Sequence, residues 1–136
     1  ERLEVILDTY LSVNTPVQRA LSAWMSLRNE IQKEILKRVV ENRNYLREQT
    51  VSRDHFKLID AEGGWYAVLK IVGTADEEKW VLDLLEQKHV LVHPGFFYDF
   101  EPHENHMVLS LLPETKIFAE AIGRLTSFAS FCRINL

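Results

Sequence analysis

The sequence predicts an α+β fold, in which a long N-terminal helix packs on a small mixed β-sheet with helices on one face. Apolar residues recur at helical spacing through residues 16–49, which predicts the long helix. Shorter runs rich in β-branched and aromatic residues predict strands at residues 55–59, 65–72, 90–92 and 107–112. Helical patterns after the second and the fourth of these runs complete the predicted order of elements.

A segment with its own helical pattern precedes the long helix. Residues 1–13 are predicted to be the last turns of a helix followed by extended chain. Because the chain begins inside an amphipathic pattern, without a methionine or a signal segment, we interpret it as a fragment of a longer polypeptide. Thr15 is predicted to cap the long helix, and Pro16 to be its first residue, where a missing N–H is harmless.

The long helix has one apolar face. Ile31, Ile35 and Val39 repeat at intervals of four and are predicted to pack on the sheet. The pattern also allows a bend near residues 26–29 that divides the stretch into two helices.

Turn-forming and helix-capping residues indicate where the next elements begin. Gly63 and Gly64 mark the turn between the first two strands, because glycine lets the backbone turn sharply. Thr74 is predicted to cap the helix that follows. The core face of that helix is predicted to be Trp80, Val81, Leu84 and Leu85.

The C-terminal third is predicted to hold two strands and a helix. The buried strand predicted at residues 90–92 ends at His93, Pro94 and Gly95, because Pro-Gly makes a fixed turn. Residues 96–106 are predicted to be a loop before the strand at residues 107–112. The last helix is predicted to begin at Pro113 and to bury a stripe formed by Ile117, Phe118, Ala121, Ile122 and Leu125.

Composition indicates one globular domain. The 136 residues are 46% apolar and 26% charged, which excludes a disordered chain and a disulfide scaffold. The net charge is −4, so no basic excess indicates a nucleic acid or an anionic membrane surface as a partner. A single cysteine, Cys132, excludes an intrachain disulfide and fits a reducing, cytoplasmic location.

The usual short catalytic motifs are absent: the sequence has no GxGxxG, no GxxxxGK[ST] and no GxSxG. His103 and His106 are the best candidates for metal ligands, but Pro102 disfavours the helix that would bring them together. We predict a solvated acidic loop there and no metal site. Cys132 is predicted to be a buried apolar group rather than a nucleophile.

Three segments are more informative through their order and spacing. They are residues 62–69 (EGGWYAVL), residues 90–100 (VLVHPGFFYDF) and residues 107–114 (MVLSLLPE) with the helix that follows. Together they resemble the C-terminal small domain of fold type I (class I/II) PLP-dependent aminotransferases, over essentially the whole chain. In this resemblance, residues 8–18 look like the segment that leaves the large domain of the family.

The resemblance implies a dimeric enzyme in which PLP takes an amino group from an amino acid and returns it to a keto acid. The small domain would close over the substrate and exclude water. The residues expected to line the substrate side of the cleft are Gly64, Trp65 and Tyr66. The residues expected near the cofactor, in the same subunit or its partner, or near the hinge are Asn14, Thr15, His93, Pro94 and Gly95.

Two features depart from the family's pattern. The Schiff-base lysine lies upstream of this segment in the family, and none of Lys57, Lys70 and Lys79 stands in its motif. We therefore expect the chain alone to be inactive and to depend on a missing large domain of the same polypeptide. The family usually has an arginine for the substrate α-carboxylate just before the hydrophobic–Ser pair, and that position here is Val108.

Other functions stay open at this point. The same fold hosts other PLP chemistries, such as those of C–S lyases and decarboxylases, and it occurs as an aminotransferase-like domain in transcriptional regulators. An interaction domain without chemistry is the remaining alternative. We expect residues 1–15 to leave the large PLP-binding domain and residues 16–136 to form the small domain. The isolated fragment is expected to self-associate through Trp24, Met25 and Phe97.

Overall fold

The computed structural model of the protein describes residues 2–9, 13–73 and 76–134. Thr74 lies outside the described residues, but the helix that it was predicted to cap has Asp76 as its N-cap, whose side chain accepts the Lys79 N–H at 2.9 Å, so that prediction was wrong. The side chain of Cys132 also lies outside the described residues, so the prediction made for it stays a prediction. The helices are α1 (Arg2–Thr9), α2 (Thr15–Ser26), α3 (Arg28–Thr50), α4 (Glu77–Lys88) and α5 (Thr115–Ile134). The strands are β1 (Phe56–Ile59), β2 (Tyr66–Ile71), β3 (His93–Pro94) and β4 (His106–Ser110).

The chain divides into two compact units, Glu1–Glu34 and Ile35–Leu136. The first unit holds α1, α2 and the start of α3, and the predicted bend is confirmed as a break at Leu27 between α2 and α3. The cap of α2 was predicted one residue too late. Asn14 has extended backbone angles, and its Oδ1 accepts a hydrogen bond from the Val17 N–H at 3.1 Å. Pro16 is therefore the second helical residue rather than the first.

The second unit is built on a four-stranded sheet with the order β1-β2-β4-β3. Every neighbouring pair is antiparallel, so the prediction of a mixed sheet was wrong in this respect. The helix α4 joins two strands that run in the same direction, β2 and β3, but β4 lies between them. Because no two parallel strands are neighbours, the sheet is antiparallel, while the α+β class is confirmed.

One face of the sheet forms the core. Alternate residues of β2 are buried, namely Ala67, Leu69 and Ile71. The Trp80 ring on α4 contacts Phe56 of β1 at 6.3 Å and Phe128 of α5 at 5.1 Å between ring centroids. Helices α4 and α5 therefore cover the same face, as predicted. Leu85 and Ile117, predicted to be core residues, are exposed because each lies at the edge of its helix stripe.

The long helix packs through its C-terminal half, where Val39 alone of the three residues of the predicted face is half-buried against the core. Ile31 and Ile35 are exposed, whereas Asn42, Leu46 and Thr50 are buried. The Asn42 side chain donates hydrogen bonds to the carbonyl oxygens of Leu111 and Pro113, both at 2.9 Å. Positions 39, 42, 46 and 50 are three or four residues apart, so the buried stripe of α3 begins near Val39, later than predicted.

Element boundaries in the C-terminal third differ from those predicted. The paired residues of the third strand are His93–Pro94 instead of residues 90–92, where Val90 and Val92 are buried but Leu91 is exposed. Two short 3-10 turns, Gly95–Tyr98 and Pro102–Glu104, occupy the segment predicted to be a loop. Within the described ranges, no helix has both the length and the apolar character needed to cross a membrane.

Candidate functional site

The sheet has a second face, which we call the open face. Along β2, Tyr66, Val68 and Lys70 alternate with the core residues and are exposed or half-buried. Directly paired residues of neighbouring strands point to the same side of a sheet. The pairs Tyr66–Ser110, Val68–Val108 and His93–Val108 therefore place Tyr66, Val108 and His93 on the open face.

Six side chains linked by ring contacts, two of which (Tyr66 and His93) lie on the open face, form what we call the aromatic cluster: Trp65, Tyr66, His93, Phe96, Phe97 and Tyr98. Tyr98 connects its parts, since its ring lies 6.1 Å from that of Tyr66 and 6.0 Å from that of His93 between centroids. Tyr66 is 46% exposed, Trp65 51% and Phe97 63%. The cluster therefore offers wide aromatic faces to a ligand or a neighbouring domain.

His93 and Tyr98 form the polar centre of the aromatic cluster. The Nδ1 atom of His93 lies 2.9 Å from the Tyr98 hydroxyl, which is a hydrogen-bond distance. The two rings are nearly parallel, with an interplanar angle of 24°. This contact fixes the orientation of the imidazole through one of its nitrogens.

A buried carboxylate, that of Glu77, anchors the turn that carries Phe96, Phe97 and Tyr98. Glu77 lies in the first turn of α4 and is 3% exposed. Its Oε1 accepts the backbone N–H of Phe96 at 3.0 Å, and its Oε2 accepts that of His106 at 2.7 Å. Such charge-assisted bonds offset the cost of burying a carboxylate, so Glu77 fixes the turn relative to the start of β4.

Gly95 allows the same turn to lie against β4. A Cβ atom at this position would come within 2.7 Å of the His106 Cβ and 3.2 Å of the Phe100 Cβ. No side chain fits there without a shift of its neighbours, so the close approach requires glycine. Gly64 differs, because open space surrounds it and its φ of +89° is what favours glycine.

The structure brings together most of the residues predicted to form a site. The ring of Tyr98 contacts those of Tyr66 and His93, and the ring of Trp65 contacts that of Tyr66. Two further predicted residues, Pro94 and Gly95, follow His93 in the chain, and Val108 is paired with His93 across the sheet. Asn14 and Thr15 belong to the first compact unit, where they form the start of α2. Whether any of these residues contacts a substrate or a cofactor stays a prediction.

Sequence reasoning missed two residues of the site, Tyr98 and Glu77. A tyrosine three residues after Pro-Gly gives no signal in the sequence of its hydrogen bond to His93. An acidic residue in the first turn of a helix, such as Glu77, is ordinarily explained by the positive end of the helix dipole. The actual partners of Glu77 are backbone N–H groups 19 and 29 positions away, which no local pattern reveals.

The described residues contain no cluster of metal ligands, and the aromatic cluster contains no strongly basic group that would hold a phosphate. Among them, no three His, Cys, Asp or Glu side chains are grouped as metal ligands would be. The aromatic cluster contains no ammonium or guanidinium group to neutralise a phosphate. Lys57 and Lys70 lie elsewhere on the sheet, where they are directly paired across β1 and β2. The aromatic cluster therefore does not by itself supply the phosphate site that PLP requires.

Comparison with known proteins gives matches at the level of structure. No family model and no curated protein matches the sequence. Among solved structures, a putative aminotransferase from Silicibacter pomeroyi superposes over 93% of the chain with a TM-score of 0.79 and 22% identity. The aspartate aminotransferase from Thermotoga maritima superposes over 93% with a TM-score of 0.75 and 24% identity.

The chain has the small-domain fold of PLP-dependent aminotransferases. The alanine aminotransferase from Pyrococcus furiosus shares this small-domain fold, with 30% identity and a TM-score of 0.62 over 72% of the chain. The chain spans 35%, 32% and 25% of the lengths of these three structures, in the order given. The resemblance inferred from the three sequence segments is thus confirmed for the fold.

Proposed function

We propose that this segment is the C-terminal domain of a PLP-dependent aminotransferase, which closes over the amino acid or keto acid during amino-group transfer. The observation that carries this proposal is the small-domain fold, shared with structures named as aspartate and alanine aminotransferases. The two names also indicate the substrate class, an amino acid exchanged with a keto acid. PLP, when bound, supplies the electron sink for the carbanion chemistry.

The aromatic cluster is the part of this chain that we propose to face the substrate. Trp65, Tyr66 and Phe97 present exposed apolar surface, which would exclude water when the domain closes. Glu77 and Gly95 hold the turn beside it in one position. A cluster fixed in this way keeps its shape between turnovers, which is what substrate orientation requires.

The remaining parts of the enzyme would come from outside this chain. Because the aromatic cluster carries no strongly basic group for a phosphate, we propose that a large domain of the same polypeptide holds PLP and supplies the Schiff-base lysine. The chain alone is then inactive. Asn14 and Thr15 would lie near the cofactor, Gly64 would line the cleft, and Pro94 with Gly95 would form a stiff segment at the hinge or entrance. The whole enzyme would be a homodimer.

The first test is an absorption spectrum of the polypeptide that contains this segment and its large domain. Bound PLP gives the protein a visible colour, and an amino donor that is consumed changes that colour. We expect a coloured protein whose spectrum shifts with at least one member of a panel of amino acids. The isolated 136-residue chain, incubated with PLP and then freed of unbound PLP, is the matched control and should retain no colour.

The spectrum also separates the competing functions. A coloured protein whose spectrum no amino donor shifts would indicate a transcriptional regulator, and products other than a keto acid would indicate a lyase or a decarboxylase. A protein that stays colourless with added PLP would contradict the proposal and leave the fold without this chemistry.

A further inference from the structure

The centre of the open face lacks a basic side chain. Val108, in the middle of β4, is 4% exposed and carries no charge. Its two direct partners across the sheet are Val68 on β2 and His93 on β3. His93 is therefore the polar group that lies directly beside Val108 on the open face.

The hydrogen bond with Tyr98 engages Nδ1 of His93, and in the tautomer whose Nδ1 accepts this bond the Nε2–H group can donate a second one. When the Tyr98 hydroxyl donates to Nδ1 at 2.9 Å, the ring proton of His93 resides on Nε2. The Nε2–H group then becomes a donor of fixed orientation, since the ring is stacked on Tyr98 and contacts Phe97 at 5.8 Å. An oriented N–H donor flanked by aromatic rings suits an anion attached to an apolar body.

We propose that the Nε2–H of His93 binds the carboxylate of the substrate, while the aromatic cluster packs on its apolar part. This inference rests on the proposed function, in which the aromatic cluster faces the substrate. It assigns carboxylate recognition to His93 on β3 rather than to position 108. Tyr98 is a positioning residue here, because it acts on the ligand through the imidazole.

The test measures the affinity of two probes that share the same apolar body. One, 3-phenylpropionate, carries a carboxylate, and the other, 3-phenylpropionamide, is its neutral amide. Isothermal titration on the whole polypeptide, with PLP present, gives each dissociation constant. His93→Phe keeps the ring but removes the donor, and we expect it to weaken binding of the acid about ten- to hundredfold. Binding of the amide should change less than about threefold, because the aromatic packing is retained.

Further variants separate recognition from packing. His93→Gln places an amide N–H near the position of Nε2 and should restore most of the affinity for the acid. Tyr98→Phe should weaken acid binding by a smaller factor, roughly three- to tenfold, because the imidazole stays but loses its fixed orientation. Lys70→Met removes one of the basic side chains that also lie on the open face and should leave both affinities unchanged.

Three results would overturn the inference: equal loss of acid and amide affinity in His93→Phe, loss in Lys70→Met instead, or no acid binding by the unsubstituted protein. The proposed function fails separately. If the polypeptide takes up no PLP, the same titrations without PLP still decide whether His93 binds carboxylates. If it transaminates and His93→Phe has full acid affinity, the function stands and this inference falls.

Discussion

The two faces of the sheet come from the same strands and differ in what their side chains do. On the core face, Leu69 of β2 is fully buried beneath α4 and α5. One residue earlier and later, Val68 and Lys70 point to the open face and are only half-buried. The period of two along a strand thus separates residues that stabilise the fold from residues that are available for recognition. Substitutions on the two faces should differ accordingly.

The largest difference in stability is expected for neighbouring residues of β2. Leu69→Ala leaves a cavity in the core and should lower the free energy of unfolding by about 2–5 kcal/mol. Lys70→Ala, one residue further on the open face, should lower it by less than about 1 kcal/mol. Denaturant unfolding followed by circular dichroism measures both. Similar losses for the two variants would mean that both faces are buried in the protein.

A second prediction concerns Glu77, which connects α4 to the turn of the aromatic cluster. Glu77→Ala leaves the backbone N–H groups of Phe96 and His106 without their acceptor, and we expect a loss of roughly 2–4 kcal/mol. Glu78→Ala in the same helical turn is exposed and should cost less than about 0.5 kcal/mol. Amide hydrogen exchange at residues 96 and 106 should accelerate only in the first variant. Unchanged exchange there would contradict the role of Glu77.

A third prediction compares two glycines. Gly95→Ala forces a Cβ against His106 and should cost about 1–3 kcal/mol, measured as a lowered thermal midpoint. Gly63→Ala meets nothing within 4 Å and should change stability by less than about 0.5 kcal/mol. If both glycines tolerate alanine equally, the turn at residues 95–98 is not held closely against β4.

The smallest effect on folding is expected in the aromatic cluster itself. Phe97→Ser should change the free energy of unfolding by less than about 0.5 kcal/mol, because its side chain is exposed. It should nevertheless reduce self-association of the isolated chain in sedimentation velocity, since it removes exposed apolar area. Leu91→Ser, equally exposed but outside the aromatic cluster, is the control. If both variants reduced self-association equally, the association would be nonspecific and would not depend on the aromatic cluster.

Local patterns predicted the elements better than their partners. The alternation in β2, the break near Leu27 and the position of α4 were all predicted, because each depends on neighbours within a few residues. The third strand was placed too early, since burial of Val90 and Val92 looks the same in the sequence whether or not the backbone is paired. The exposed Ile31 shows that an apolar stripe does not reveal what covers it.

The sequence indicated most of the residues that belong to the candidate site, but it did not indicate which atoms they contact. Trp65, Tyr66, His93 and Gly95 stood out through glycine and aromatic motifs in a specific order. The bonds of Tyr98 to His93 and of Glu77 to two distant N–H groups depend on the packing of a helix and a turn against β4. Such contacts follow from tertiary structure, so a single sequence carries no separate signal for them.

The position of β4 between β2 and β3 has a consequence for biosynthesis. The ribosome completes β1 and β2 long before it reaches residues 106–110, so β2 keeps one unpaired edge during much of translation. We expect the sheet to close only when β4 emerges and inserts, which makes folding late and rate-limited by a nonlocal pairing. Nascent chains that stall before Ser110 would expose that edge to other chains, and their aggregation would depend on chaperones rather than on the stability of the finished domain.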